Sequence, residues 1–490
     1  MNCSYRLARR HLADLFVAIV VSASIARGQC GTWDNRPGLP AGADDNRSAL
    51  TRGHVGDAEP PGPGIVFAVT TWELPGSSAP QIVAGGSFSL HGDETSTNIA
   101  RWDGTGWHAL GEGLNGTVYA LTTWDPDGTG PLGRVLVAGG RFNAAGGAAA
   151  SNIATWDGVA WHSLGDGLRD APSDAVYALC TWDRDGDGPL APQLIAGGSF
   201  SAAGGVALNN IARWDGVWRP IGGGTTGGSQ PAVRALAEWD ADGTDPAAPQ
   251  LVAGGTFQSA GGGSASNIAR WDGGAWRSLG PGLGGPQAPA VRTIVAWDPD
   301  ESGPLPPQLV AGGNFTRSGN QPVSSVARWN GNNWQSLGAG LGGGVNALAV
   351  MSSTVSLPSQ LVAGGTFAFG GSARIARWDG VAWRPMGAGL AGPAGHALGN
   401  WNRNPSNPVS YYLVVAGDFD QAGGLPARGI ALWSIHPPGD LNNDMIVDAL
   451  DLQRLLNAWY RTDGGDIDKD GDTDESDLGI LLQNWLRTCP

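Results

Sequence analysis

One segment, most often Leu-Val-Ala-Gly-Gly-x-Phe, recurs seven times along the 490-residue chain, with its glycines at Gly85, Gly139, Gly197, Gly254, Gly312, Gly364 and Gly417. Each copy is followed by a run like Asn-Ile-Ala-Arg-Trp-Asp-Gly. Its tryptophan falls at Trp102, Trp156, Trp214, Trp271, Trp329, Trp378 and Trp433, 49 to 58 residues apart. A unit of this length buries its apolar face only by stacking on its neighbours, and the period suits one blade of a propeller.

Within a unit, four short apolar runs alternate with turn chemistry. Residues 118–124, 134–142, 152–156 and 161–164 illustrate the runs, and Asp125-Pro126-Asp127-Gly128 and Trp156-Asp157-Gly158 the turns. Aspartate bonds its own backbone in such turns and glycine accepts positive φ, so the runs read as strands joined by hairpins. Helical periodicity is absent before residue 448. The expected fold class is all-β, a seven-bladed β-propeller over residues 29–436, joined by a short linker (437–439) to a small all-α calcium-binding module over residues 440–490. The seventh unit runs out at Trp433-Ser434-Ile435-His436-Pro437 without the tryptophan that opens the fourth strand in its siblings. Trp33 to Leu39 can supply that strand, so residues 29–40 are expected to complete the last blade and leave no open sheet edge.

The Gly-Gly pair, the aromatic-Asp turn and the tryptophan opening the last strand resemble the kelch repeat. The copies are also similar to bacterial tandem repeats of Val-Gly-Gly-x-Phe and Arg-Ile-Ala-Arg type that form extracellular propellers. The resemblance covers about residues 30–436. It implies a fold rather than a reaction, since such propellers host enzymes, sugar binders and docking platforms alike.

Residues 1–28 have the form of a secretory signal peptide. Arg6, Arg9, Arg10 and His11 precede an apolar run from Leu15 to Ile25, which a small-residue step follows. That run is about half of what a bilayer span needs. A secreted, extracellular protein with no membrane span is expected. Removing the segment takes away four arginines and Asp14, so the formal charge moves from −15 to −18. With one lysine and no basic stripe, nucleic acid is not an expected partner. Cys30, Cys180 and Cys489 are too few for a disulfide framework, so stability has to come from a packed core.

Residues 440–451 and 466–477 each place oxygen ligands at positions 1, 3, 5, 9 and 12 of a 12-residue loop. These are Asp440, Asn442, Asp444, Asp448 and Asp451 in the first and Asp466, Asp468, Asp470, Asp474 and Asp477 in the second. Calcium takes six to eight oxygens at flexible distances, which such loops deliver around one centre, so two Ca2+ sites are expected. A Leu-x-x-Leu-Leu-x-x-Trp helix follows each loop, from Leu452 and from Leu478, and proline or glycine before the loops excludes a leading helix. Loop-then-helix, duplicated, resembles dockerin type I. Met445 departs from the glycine expected at position 6 of the first loop. The resemblance implies docking onto a cohesin-like module, in assemblies that usually degrade polysaccharides. It also implies partner choice at Ala449, Leu450, Glu475 and Ser476.

In the first strand of each unit, one position keeps its frame while its identity varies: Phe67, Tyr119, Tyr177, Arg234, Arg292, Asn346 and His396. First strands are innermost in propellers, so these seven are expected to ring one mouth of the central channel. Aromatic and cationic groups there suit stacking and hydrogen bonding to a sugar or peptide. His108 and His162 share one surface slot with Arg219, Arg277, Gln335 and Arg384, a pattern of strand-surface residues rather than of a catalytic centre. The expected function is non-catalytic recognition of a carbohydrate or protein, within a calcium-dependent extracellular assembly. Two rivals stand beside it: an O-glycosyl hydrolase of polysaccharide catabolism with two or three carboxylates converging at the channel mouth, where His91, Asp93 and Glu94 are the only polar departure in the otherwise Gly/Ala-rich loops between second and third strands, and a cell-surface structural protein.

Overall fold

The computed structural model describes residues 32–34, 49–51, 64–74, 79–91, 95–128, 130, 133–186, 188, 190–241, 248–285, 288–300, 305–351, 359–370, 372–403, 411–434, 439–441, 446–459, 465, 467 and 473–485. Residues 1–28, expected to be a signal peptide, and Cys30 and Cys489 lie outside them. Among the described residues the chain is predominantly β and propeller-like. Seven sheets contain four or more antiparallel strands, accompanied by short two- and three-stranded ribbons. In the second repeat the strands are Thr117–Trp124, Val135–Arg141, Ile153–Trp156 and Trp161–Ser163, paired in chain order. First strands of successive sheets pack side by side, and Ala394–Asn402 of the seventh lies against Ile65–Trp72 of the first.

The last sheet draws on both ends of the repeat region. Its strands Ala394–Asn402, Tyr411–Asp418 and Ile430–Ser434 are followed outward by Thr32–Asp34, with Trp33 opposite Trp433. The two indoles meet edge-to-face, 5.0 Å between centroids. A fourth strand thus covers the edge of Ile430–Ser434.

Apolar cores lie between sheets. Val83 and Ile99 of the first sheet meet Leu136, Ala138 and Ala154 of the second, and Val66 and Ile82 meet Val414, Ala416 and Trp401 of the seventh. The glycine pair makes this approach possible. A Cβ on Gly139 would stand 2.5 Å from Val176 Cγ1 of the next sheet, and one on Gly140 would stand 2.1 Å from the Thr117 carbonyl oxygen. At the seventh copy the register sets Gly417 opposite Gly395, as Gly86 is opposite Val66. Gly417 therefore takes the second place of the pair and Ala416 the first, one residue earlier than the repeat alignment has it.

Tryptophans stitch neighbours together. At the end of first strands, Trp124, Trp182 and Trp239 donate their indole N–H to the carbonyls of Pro192, Pro249 and Pro307 in the following repeat, at 3.0, 2.8 and 2.9 Å. Trp401 of the seventh repeat donates to Pro80 of the first at 2.7 Å, so the series continues across the junction. Fourth-strand tryptophans reach the other way, as Trp161 does to the Leu110 carbonyl at 2.7 Å.

After the sheets come two helices, α1 (Ala449–Ala458) and α2 (Glu475–Gln483). Val447, Leu455 and Leu481 are fully buried between them, with Leu441, Leu452, Trp459, Ile467, Leu478 and Trp485 packed around. No helix among the described residues is long and apolar enough to cross a membrane.

Candidate functional site

All seven variable first-strand residues sit at a β-bulge. The pairing of first with second strand slips between Val66 and Ala68, Val118 and Ala120, Val176 and Ala178, Val233 and Ala235, Val291 and Thr293, Val345 and Ala347, and Gly395 and Ala397. The skipped residue is Phe67, Tyr119, Tyr177, Arg234, Arg292, Asn346 or His396 in turn. A bulge leaves its extra residue out of the ladder and re-aims its side chain. The flanking residues are fixed by burial between sheets, whereas the extra one is free to vary.

Neighbouring side chains meet at six of the seven steps around this ring, and Arg234 and Arg292 influence each other through their charges. The ring of Phe67 lies 5.4 Å from Tyr119, and Tyr119 lies 5.3 Å from Tyr177. The Arg234 guanidinium stands 4.7 Å over the face of Tyr177. Arg292 donates from Nη1 to Asn346 Oδ1 at 2.7 Å, and Asn346 Nδ2 donates to the Gly395 carbonyl at 3.1 Å and lies 3.4 Å from His396 Nδ1. His396 returns to Phe67 with 5.0 Å between centroids. Six members are half-buried and Arg292 is exposed.

Charge is unevenly spread around this circuit. Aromatic groups fill the arc from His396 through Tyr177, and the two arginines stand side by side on the opposite arc. Burial among the surrounding protein, and then the charge of Arg234, lower the Arg292 pKa. Arg292 thus combines an exposed side chain with partial enclosure by its neighbours. Burial also lowers the His396 pKa, with Asp418 opposing the shift and Arg292 adding to it. Asp418 was not among the residues singled out from sequence. It occupies the variable place of the Gly-Gly-x-Phe segment, where siblings carry Ser87, Thr256 or Thr366, and that lone carboxylate was the available signal.

The surface slot of His108 and His162 has a separate explanation. His108 and His162 bond Asp103 and Asp157 of the preceding turn at 2.8 Å, and Arg277 and Arg384 bond Asp272 and Asp379 at 2.8 and 2.6 Å. Where the turn residue is Asn330 the slot holds uncharged Gln335. These pairs brace hairpins on separate sheets. His91 ends the strand Gln81–His91, and Asp93 and Glu94 lie outside the described residues.

Of the ten candidate calcium ligands, Asp440, Asp448, Asp451, Asp474 and Asp477 are described, and Asn442, Asp444, Asp466, Asp468 and Asp470 lie outside the described residues. Among the described residues no group of three or more metal-ligating side chains stands together. Asp451 and Asp477 are fully buried. Asp451 accepts from the backbone N–H of Leu441 at 2.7 Å and of Asp448 at 2.9 Å. Asp477 does the same with Ile467 and, at 2.8 Å, with Asp474. Each carboxylate therefore ties the first turn of its loop to the cap of its helix, and Asp448 and Asp474 cap α1 and α2 through Leu450 and Ser476, both at 2.7 Å. The donor set is all oxygen, which fits a hard cation such as calcium.

No protein-family model matches this chain, and no curated protein matches it. Solved structures do. A crystal structure of BBS1N in complex with ARL6DN superposes with a TM-score of 0.44 at 11% identity, over 76% of this chain and 92% of that one. The extracellular domain of a protein described as a hybrid two component system from B. thetaiotaomicron also gives 0.44 at 11% identity, over 78% of this chain and 39% of that one.

Proposed function

We propose that this chain is a secreted, non-catalytic recognition protein. In this reading it is a seven-bladed propeller that holds a carbohydrate or protein ligand at the ring of Phe67, Tyr119, Tyr177, Arg234, Arg292, Asn346 and His396. The dockerin-like residues 440–490, loaded with two calcium ions, tether it to a cohesin-like partner in an extracellular assembly. The observation that carries the reading is the circuit itself: seven residues, each freed from the strand ladder by a bulge, converge from seven repeats and differ in chemistry while their frames agree. Packing alone would favour one repeated residue there, as it does at the neighbouring valines and alanines. For the tail, exposed Leu450 and Leu456 on α1 and half-exposed Ile446 beside it offer apolar surface for a partner.

The test combines a glycan array with a calcium-dependent pull-down on the exported chain. A ligand captured on the array should lose at least tenfold in affinity when Tyr119→Ala and Arg234→Ala are combined, because stacking and a charged hydrogen bond contribute about 1–3 kcal/mol each. The fold should be retained. A double variant that keeps its fold and binds as before would place the ligand elsewhere. Turnover of a polysaccharide, abolished by a carboxylate substitution, would establish the hydrolase instead.

A further inference from the structure

The ring carries more information than its closure. Resting on the reading that this ring is the binding surface, we infer that its ligand is a carboxylated saccharide, an acidic sugar unit whose carboxylate lies between Arg234 and Arg292 and whose ring face lies on Tyr119 and Tyr177.

Elsewhere on the molecule, arginines next to hairpins are neutralised: Arg219, Arg277 and Arg384 bond Asp215, Asp272 and Asp379 at 2.6 to 2.8 Å. Arg234 and Arg292 have no carboxylate partner among the described residues. Arg234 lies over the Tyr177 ring, which orients the guanidinium by its face and leaves its N–H edge for a ligand. Arg292 spends one N–H on Asn346, which is itself anchored on the Gly395 carbonyl. Arg234 and Arg292 hold equivalent places on adjacent first strands, and their like charges oppose one another until an anion is placed between them. Planar guanidinium forks match a carboxylate with two N–H bonds each.

The other half of the recognition comes from the aromatic arc. The rings of Phe67, Tyr119 and Tyr177 are tilted 48 to 58° to their neighbours rather than stacked flat, and all three are half-buried. The Tyr119 and Tyr177 hydroxyls make no hydrogen bond within the described residues. Two uncommitted phenols beside aromatic faces suit a ligand that carries hydroxyls around a ring with an apolar C–H side. An acidic peptide would satisfy the arginines but would leave this hydroxyl complement without a counterpart.

Calorimetric titration of the full chain with trigalacturonate, its methyl ester and a hexaglutamate peptide tests this directly. The acid should bind at least tenfold more tightly than the ester, with an affinity that falls as salt rises. Arg234→Gln or Arg292→Gln should remove that preference, Arg234→Lys should restore part of it, and Tyr119→Ala should weaken acid and ester alike. Melting curves of the variants should match the parent. Equal affinity for acid and ester, unchanged by Arg234→Gln but lowered by Tyr119→Ala, would overturn the anionic ligand while leaving the ring as the binding surface. Binding indifferent to Tyr119→Ala as well would overturn both. Binding of the peptide but of neither saccharide, or of no probe at all, would overturn the saccharide.

Discussion

The repeats of the sheet region and the two repeats of the tail are kept alike by different forces. Between sheets the constraint is steric and apolar: Gly139 has no room for a Cβ against Val176, and Leu136, Ala138 and Ala154 are fully buried against the first sheet. Among the described residues of the tail, Val447, Leu455 and Leu481 form the fully buried apolar centre, and the repeated feature is polar, a buried aspartate holding two backbone amides. That described core is smaller than those between sheets. The comparison teaches that the two regions are organised differently: the sheets by apolar burial, and the described part of the tail around two buried carboxylates that hold backbone amides.

Removing the cation should separate the two regions most sharply. With a chelator, residues 440–490 should lose their helical signal and their cooperative transition while the sheet region melts as before. At calcium a thousandfold above its dissociation constant, linkage contributes about 4 kcal/mol to the tail. Asp477→Ala should mimic the chelator at the second loop. Circular dichroism followed with and without chelator gives the answer, and a tail indifferent to it would mean that its small core suffices.

The reverse experiment breaks the sheet region and spares the tail. Trp33 lies against Trp433 at the outer edge of the last sheet, and a Cβ on Gly423 would come within 2.2 Å of its ring. Trp33→Ala should cost about 3 kcal/mol, the lower end for a tryptophan because Trp33 is only half-buried. It should also loosen the strand Thr32–Asp34 and expose the edge of Ile430–Ser434, which favours self-association. Calcium binding should be untouched. Differential scanning calorimetry with size-exclusion chromatography reads both effects, and a variant of unchanged melting temperature would show that the N-terminal strand does not hold the sheets together.

Part of this was legible in the sequence because packing fixes frames. Six glycine pairs, five Trp-Asp-Gly turns and one Trp-Asn-Gly turn announce sheets and hairpins, and the one place between Val66 and Ala68, or Val233 and Ala235, varies while its neighbours stay apolar. The bulge was not legible, since pairing with the second strand decides it and no residue type marks it. The seventh glycine pair was misaligned by one residue because Ala416 stands where the others have glycine. The turn pairs were readable in principle: Asp272 lies five residues before Arg277, Asp379 five before Arg384, and Asn330 five before Gln335. In the tail, donor spacing alone was legible. How Asp451 and Asp477 spend their oxygens on backbone amides depends on helix caps that spacing does not show.

The smallest expected effect belongs to the ring itself, where the difference between a packed and a chemical position is read by pH. His396 is half-buried beside Asn346, Phe67, Asp418 and Arg292. Burial pulls its pKa below the ordinary value of 6.5, and Arg292 pulls further against the opposing pull of Asp418. The unfolded chain then takes up the proton more readily than the folded one. Stability from this group is complete above pH 6.5, falls as the pH drops below it, and levels off beneath the folded pKa. In the neutral ring Nδ1 can accept the Asn346 amide, and protonation removes that acceptor and adds a third cation beside Arg292. A histidine resonance titrating below 6.5, together with a shallow loss of melting temperature across the same range that His396→Asn removes, is the expected result. A midpoint at or above 6.5 would mean that Asp418 outweighs both burial and Arg292. The ring would then carry three positive charges near neutral pH, and ligand affinity should rise as the solution is acidified.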